Sequence, residues 1–432
     1  MPTAQRTAQP RPISWFVRST QVLAWLLVGI SLGLSLWIVV PAPTRSLLPL
    51  GVGAPEVSPW LTGLSAIAAV VVWLTHRWAR VAVLRNGSGN RLKPRTSAKV
   101  ALGLCAIALV VSLLPLMQVN GTSAAIAAEM QAVLGTDYLA QIPPSLQEQL
   151  RPQPFRLWDV FRGIAPAPTP LSIQRGVVFA TPAGVPLRLN VYRPSAAGTY
   201  PTLVVIYGGA WQGGSPDSHE TFSRYIAAQG YAVVAIDYRH APQYPFPAQL
   251  EDVRAALTYL KTHGVELGAD LSRLALMGRS AGAQLAAIAT YEQPSILPIR
   301  AVINYYGPVD LTTGYDDPPI PDPIDTRAVL RAFLGGTPDQ HPSLYRRASP
   351  INYVQPGLPP TLLVYAGRDH VVQARYGHQL YHQLQATSNQ AVWLEIPWSE
   401  HAFDILFNGV GNQLALYYTE RFLAWALYSS PL

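Results

Sequence analysis

The chain of 432 residues has one cysteine, Cys105, so no disulfide can close within it, and cysteine usage says nothing about compartment. Acidic residues are scarce in the first third. Residues 1–150 hold eleven Lys and Arg against four Asp and Glu, whereas residues 151–432 hold twenty of each. The formal charge of +7 therefore belongs entirely to the N-terminal third. A basic balance can mark a nucleic-acid partner, but here the excess lies among hydrophobic stretches, and membrane topology accounts for it better; no nucleic acid is expected. Charge is missing altogether from residues 19–40, 57–75 and 100–118. Each stretch approaches or exceeds the roughly 20 apolar residues that cross a bilayer. Trp15, Trp37, Trp60, Trp73 and Trp78 lie near their ends, where indole rings favour the headgroup zone.

Several ligand-binding patterns are missing too. The run from Tyr207 contains Gly208, Gly209, Gly213 and Gly214, but it does not fit G-x-G-x-x-G. No Lys-Ser/Thr follows and Pro216 delays any helix, which excludes a phosphate loop. His378 and His382 stand at helical i,i+4 spacing, yet Gln379 occupies the place of the glutamate in H-E-x-x-H. Asp316, Asp317, Asp322 and Asp325 match no EF-hand spacing. Neither a metal nor a cofactor is expected.

The basic residues orient the membrane region. Arg6, Arg11 and Arg18 precede the first apolar stretch. Arg77, Arg80, Arg85, Arg91, Lys93, Arg95 and Lys99 fill the second connection with no acid between them, while the first connection has Arg45 against Glu56. The positive-inside rule puts the N-terminus and second connection in the cytoplasm, and everything after residue 118 on the opposite face. The first stretch is too long for a signal-peptide core and reads as a signal anchor. The expected domains are a three-helix membrane anchor (1–118), a juxtamembrane segment with a Pro-rich linker (119–170) and a catalytic domain (171–432). Within the second, residues 124–134 read as a short amphipathic helix at the membrane surface.

From residue 171 the pattern changes to short strands alternating with helical periods. Residues 177–180 and 187–192 read as a hairpin; 202–207, 231–237, 301–305, 361–366 and 391–396 read as further strands. Helical stretches at 220–229, 248–263, 371–384 and 413–427 separate many of them. This alternation predicts an α/β domain with a mostly parallel central sheet. Gly-Arg-Ser-Ala-Gly at 278–282 ends one apolar run (274–277) and opens a helical one (284–290). G-x-S-x-G between strand and helix is the pattern of a nucleophile elbow, which lifts the serine hydroxyl above the sheet. A serine nucleophile needs a base and a carboxylate to orient it, in the chain order Ser, Asp, His, each after a strand. Asp369 follows the strand 361–366 and His401 follows 391–396. The glycine-rich turn at 207–211 offers amides to a developing oxyanion. Glu400 is a candidate for tuning the histidine. Asp404 lies on the wrong side of His401 for chain order and reads as a surface or helix-capping residue.

Residues 207–211, 237–242, 278–282, 367–369 and His401 resemble the esterase/lipase branch of the α/β-hydrolase superfamily, with patterns similar to hormone-sensitive-lipase-like carboxylesterases and isoprenylcysteine methylesterase-like enzymes. The resemblance covers about 171–432 and leaves out the apolar stretches. It implies Ser280 as nucleophile, Asp369 and His401 as its partners, and the amides of Gly209, Ala210 and Ala281 as an oxyanion hole. The family usually has histidine where this chain has Tyr207, which bears on how that loop is ordered. Residues 316–350 would form a small cap, and its apolar residues, with 211–212 and 244–246, would line an acyl or alcohol pocket.

The expected function is a membrane-anchored serine hydrolase acting through an acyl-enzyme on a small-molecule or lipid ester, with membrane lipids as its surroundings. A peptidase or amidase would use the same residues, and a non-catalytic adhesion or scaffold protein is the reading from another class. Demethylation of prenylated proteins would need substrate on the cytosolic face, which the topology disfavours. A reporter fused after Leu432 should report the non-cytoplasmic side, and one fused near Gly89 the cytoplasm; a cytoplasmic C-terminus would mean that one span does not cross.

Overall fold

A computed structural model describes residues 12–85 and 94–429. Arg6, Arg11, Arg91 and Lys93, on which the expected topology partly rests, lie outside the described residues, as do both reporter positions, Gly89 and Leu432. The chain divides into two compact units, one of residues 1–41 and 57–117 and one of 42–56 and 118–432.

The first four helices are α1 (Pro12–Leu36), α2 (Leu48–Glu56), α3 (Ser58–Arg85) and α4 (Pro94–Leu134). Three stretches, Ser19–Leu36, Ser58–Val81 and Thr96–Leu134, are long and apolar enough to cross a membrane. In the first unit they meet along small side chains: Ala24, Val28, Ala68, Val72, Ala101 and Cys105 form a buried seam. Ser31 and Ser65 share a hydrogen bond of 2.7 Å across it. The bulky residues Leu26, Ile30, Ile67, Val70, Ile107 and Val110 point outward. Small residues inside and large apolar ones outside is the arrangement that suits helices packing in lipid, where no hydrophobic gain drives them together. The sequence suggested a third span followed by a separate short helix at 124–134; the structure has one helix of 41 residues, continuous through Pro115 and Gly121. Both residues disfavour helix, and Pro115 lacks the N–H of one rung, but apolar helix-forming residues on either side keep the helix continuous past them.

The second unit is built on an eight-stranded sheet of order β1-β2-β4-β3-β5-β6-β7-β8. Its strands are β1 (Leu171–Ala180), β2 (Leu187–Pro194), β3 (Tyr200–Ile206), β4 (Ala232–Ile236), β5 (Ala269–Arg279), β6 (Ile299–Tyr305), β7 (Thr361–Ala366) and β8 (Ala391–Ile396). β1 and β2 form the expected antiparallel hairpin, β2 runs antiparallel to β4, and all other pairs are parallel. All residues of β4 and β7 are buried, as strands covered on both faces require, and this explains why they read as unbroken apolar runs rather than alternating ones.

Ten further helices complete the unit: α5 (Pro144–Gln147), α6 (Leu157–Arg162), α7 (Glu220–Ala228), α8 (Ala248–His263), α9 (Ala281–Tyr291), α10 (Leu311–Asp316), α11 (Thr326–Leu334), α12 (Pro342–Arg347), α13 (Ala374–Ala386) and α14 (Val410–Tyr428). α13 shows why they form where they do. Tyr376, Leu380 and Leu384 repeat every fourth residue and are buried on one face. Residues 118–170 are fastened to this unit by polar bonds. Glu420 of α14 accepts the Arg151 amide at 2.9 Å, Gln413 accepts the Arg156 amide at 2.9 Å, and the Tyr418 hydroxyl donates to the Ser123 carbonyl at 2.6 Å.

Candidate active site

The register of the parallel strands ends Ile206 beside Gly278 and Ala366 beside Ile396. The loops after β3, β5, β7 and β8 therefore emerge at one edge of the sheet, where open α/β sheets gather their ligand sites. Gly209, Ala210, Ser280, Asp369 and His401 lie on these loops, and Ala281 opens α9.

Ser280 sits between β5 and α9 with φ 50° and ψ −122°, a conformation that an L residue adopts only under constraint. The flanking glycines make the turn possible by their lack of a side chain. A Cβ on Gly278 would lie 2.2 Å from the Gly282 carbonyl oxygen, and one on Gly282 would lie 2.3 Å from that of Ile206. His401 places Nε2 3.0 Å from Ser280 Oγ and Nδ1 2.7 Å from Asp369 Oδ2. Asp369 Oδ1 accepts from the amides of Val371 at 2.8 Å and Val372 at 2.6 Å, which fixes the carboxylate. His401 and Asp369 are both buried. Burial disfavours charge on His401, but the Asp369 carboxylate beside it, helped by Glu400 and Asp404, outweighs that and raises the imidazole pKa above its ordinary value.

The loop after β3 holds Gly209, Ala210 and Trp211 at φ 136°, 53° and 58°. Three consecutive residues in this region curl the backbone tightly over the elbow. Among the described residues, the amides of Gly209, Ala210 and Ala281 donate to no other protein group. Gly208 carries no mark in the sequence beyond the glycine run, yet it packs directly on the elbow: a Cβ there would meet the Arg279 carbonyl oxygen at 2.8 Å and Ser280 Cβ at 3.0 Å. Trp211 anchors the loop by donating from Nε1 to Gln284 at 3.0 Å and by stacking on Phe333 of α11, ring centroids 3.9 Å apart.

Tyr207 turns its phenol toward the loop after β4. Its hydroxyl donates to Asp237 at 2.6 Å and lies 2.9 Å from His240 Nε2, and its ring stacks on Tyr238. Burial among these groups raises the phenol pKa far above its usual value, so it stays protonated. The side chain thus braces one loop against the next.

Asp404 is neither a surface residue nor a helix cap. It is buried and paired with the buried Arg279 guanidinium, and it accepts a further hydrogen bond from Tyr306. Burial opposes its ionisation, but Arg279 outweighs this and holds the carboxyl below its usual range. The pair ties the residue before Ser280 to the loop that carries His401. Only the unassigned position inside G-x-S-x-G could have hinted at it. Glu400 accepts from the backbone amides of His370 at 2.6 Å and His401 at 2.9 Å, and from His370 Nδ1 at 2.6 Å. It therefore joins the two loops that carry Asp369 and His401, besides acting on the histidine through its charge.

The other candidates stand apart. His378 lies against Trp393, ring centroids 3.8 Å apart, and 3.3 Å from Glu395. Asp322 accepts from the Thr326 amide and Asp325 from that of Ala328, which caps α11, while Asp317 pairs with Arg375. Among the described residues no cluster of His, Cys, Asp and Glu is arranged to hold a metal ion.

Beside Ser280 opens a mostly apolar cleft of about 620 Å³ including its mouth. Val309, Leu311, Ile324, Val329, Leu330 and Tyr376 line it together with Ala210, Trp211 and Ala281. Segment 316–350 supplies part of this wall, as expected of a cap. Phe246 stands behind the lining against Phe333, at 5.4 Å between centroids, rather than in it.

Residues 189–384 match the BD-FAE family. Esterase LipC of Mycobacterium tuberculosis is 34% identical over 235 residues, 50% of this chain and 57% of LipC. An acetyl-hydrolase of Streptomyces hygroscopicus is 36% identical over 181 residues, 40% of this chain and 58% of that protein. The match thus spans less than two thirds of the length of these relatives. Among solved structures, an esterase of Pyrobaculum calidifontis superimposes with a TM-score of 0.52 at 25% identity, over 66% of this chain and 98% of its own. The sheet and these likenesses show an α/β-hydrolase fold in the second unit, similar to the esterase/lipase branch of that superfamily.

The loop geometry makes opposite demands on two neighbours. A Cβ on Gly209 would fall 2.1 Å from the Gly213 carbonyl oxygen, so a side chain there collides with the loop itself rather than with a substrate. Gly209→Val should therefore lower kcat on a simple ester by roughly a hundredfold or more, the scale of losing one oxyanion donor. Tyr207→Phe should keep activity within about tenfold, since it removes only bracing hydrogen bonds. The measurement is kcat for both variants, with folding checked by circular dichroism. Loss of turnover in Tyr207→Phe with retention in Gly209→Val would make the phenol the oxyanion donor.

Proposed function

We propose that the protein is a membrane-anchored serine ester hydrolase. The observation that carries this reading is the linked geometry of Asp369, His401 and Ser280, at 2.7 and 3.0 Å, beneath unpaired amides and beside an apolar cleft. Ser280 Oγ attacks the ester carbonyl while His401 Nε2 takes its proton. Asp369 holds the imidazole by Nδ1 and stabilises the imidazolium that forms. The amides of Gly209, Ala210 and Ala281 receive the negative charge on the carbonyl oxygen. His401 then returns the proton to the leaving alcohol, which leaves an acyl group on Ser280. Water, deprotonated by the same histidine, releases the acid and restores the serine.

The substrate class follows from the walls. A mostly apolar cleft suits an acyl or alcohol portion without charge, in a small-molecule or lipid ester. The named esterase and acetyl-hydrolase relatives support ester chemistry over amide chemistry. The three apolar helices hold the enzyme in a bilayer, the N-terminus in the cytoplasm and the hydrolase unit on the other side. No cofactor takes part in these steps.

Ser280→Ala or His401→Ala should lower turnover of a p-nitrophenyl ester by about 10⁴–10⁶ with the fold intact, and Asp369→Asn should be milder. In the wild type, kcat/KM should fall as pH is lowered, because the protonated imidazole cannot act as base. The raised pKa of His401 moves that fall above the ordinary histidine value of about 6.5. Near-normal turnover by Ser280→Ala would remove this mechanism.

A further inference from the structure

The proposed reaction leaves one buried acid unused. Glu56 closes α2, in the connection between the first two apolar helices, and it is completely buried in the unit that holds the hydrolase sheet. Three donors converge on its carboxylate. Ser399 Oγ donates to Oε1 at 2.6 Å, and the amides of Gly411 and Asn412 donate to Oε2 at 2.8 and 3.2 Å. Both amides lie in the first turn of α14, where helix N–H groups lack intrahelical partners and favour a negative charge.

The surrounding chain is shaped to admit this side chain. A Cβ on Gly409 would lie 2.3 Å from Glu56 Oε2, and one on Gly411 would lie 2.6 Å from Oε1. Gly409 has φ −62°, open to any residue, so what it supplies there is space. Burial raises the Glu56 carboxyl to about 7, against the three donors that favour its ionised form. An acid placed so deeply is retained at a cost to stability unless its partners offset it.

Ser399 carries the effect to the site. It stands two residues before His401 in the loop after β8. Its carbonyl accepts from the Arg368 amide at 3.0 Å, and Arg368 directly precedes Asp369. One carboxylate thus holds, through one side chain, the backbone from which both the base and its orienting acid project.

We propose that Glu56 is a positioning residue for hydrolysis: by clamping Ser399 to the start of α14 it sets His401 in line with Asp369 and Ser280. On this reading the connection between the first two apolar helices is part of the catalytic unit as well as part of the anchor. The proposal rests on the serine-hydrolase reading above.

The test uses the full chain in detergent, with kcat on a p-nitrophenyl ester expressed per site titrated by a fluorophosphonate, so that unfolded protein does not count. Glu56→Ala should lower kcat per titrated site by about tenfold or more with KM within about twofold, since displacing a catalytic group by a fraction of an ångström costs on this scale. Glu56→Gln, which keeps the shape and an acceptor, should recover part of the loss. Ser399→Ala should lower kcat by about three- to tenfold, and Glu56→Ala with Ser399→Ala should be no worse than the poorer single variant, because both break one linkage. Should Glu56→Ala fail to fold, Glu56→Gln and Ser399→Ala decide the matter. Unchanged kcat per site in all foldable variants, or fully additive losses in the pair, would overturn the proposal while leaving the hydrolase reading in place. A wild type that neither titrates nor turns over ester would remove both together.

Discussion

The tight reversal at Ser280 is the constraint on which the rest of the site depends. A residue at φ 50° and ψ −122° is held there only because the neighbouring elements leave it no alternative. Such strain stands at about 1–3 kcal/mol per residue. Here it is imposed by the close packing of β5, α9 and the end of β3, with Gly278 and Gly282 at the points where a Cβ would overlap backbone. The same packing brings the loop after β3 over the elbow at Gly208, so serine and candidate oxyanion donors are placed by one set of contacts. A substitution that relaxed the turn would move both together.

The three loops that meet at the elbow are then tied by buried charge. Arg279 and Asp404 join the turn at Ser280 to the loop bearing His401, and Glu400 joins that loop to the one bearing Asp369. Removing one partner of a buried ion pair leaves an uncompensated charge, which costs several kcal/mol, so these links are stiff even where their net contribution to stability is small. Stiffness is what the proposed chemistry asks of them, since proton transfer between Ser280 and His401 tolerates little displacement. The apolar cleft, by contrast, is walled partly by α11, which packs on the loop after β3 through Phe333 and Trp211.

Local patterning made much of this legible before the structure. The apolar runs of β3 to β8 announced a parallel sheet, and strand–turn–helix around Ser280 announced the elbow. Asp369 and His401 stand out as candidates because each lies in the loop after such a run. Most of what the sequence does not show is non-local. Asp404 was set aside on chain order, yet its partner Arg279 lies 125 residues away and nothing in either neighbourhood marks the pairing. Glu56 lies 343 residues from Ser399 and looks like an ordinary charge between two apolar stretches. Nothing local marks Gly208 above Gly209, because the reason for its lack of a side chain is a chain segment distant in sequence. The continuity of α4 escaped for a local reason: Asn120 and Gly121 carry weak helix propensity, which the flanking helical stretches overrode.

The central claim is that Ser280 is a nucleophile made reactive by His401. Incubation of the full chain with a fluorophosphonate, followed by proteolysis and mass spectrometry, tests it most directly. The account predicts a single adduct, on the peptide containing Ser280, that disappears in His401→Ala although Ser280 is still present. No adduct on a folded wild type, or an adduct on another residue that accompanies loss of ester turnover, would contradict it.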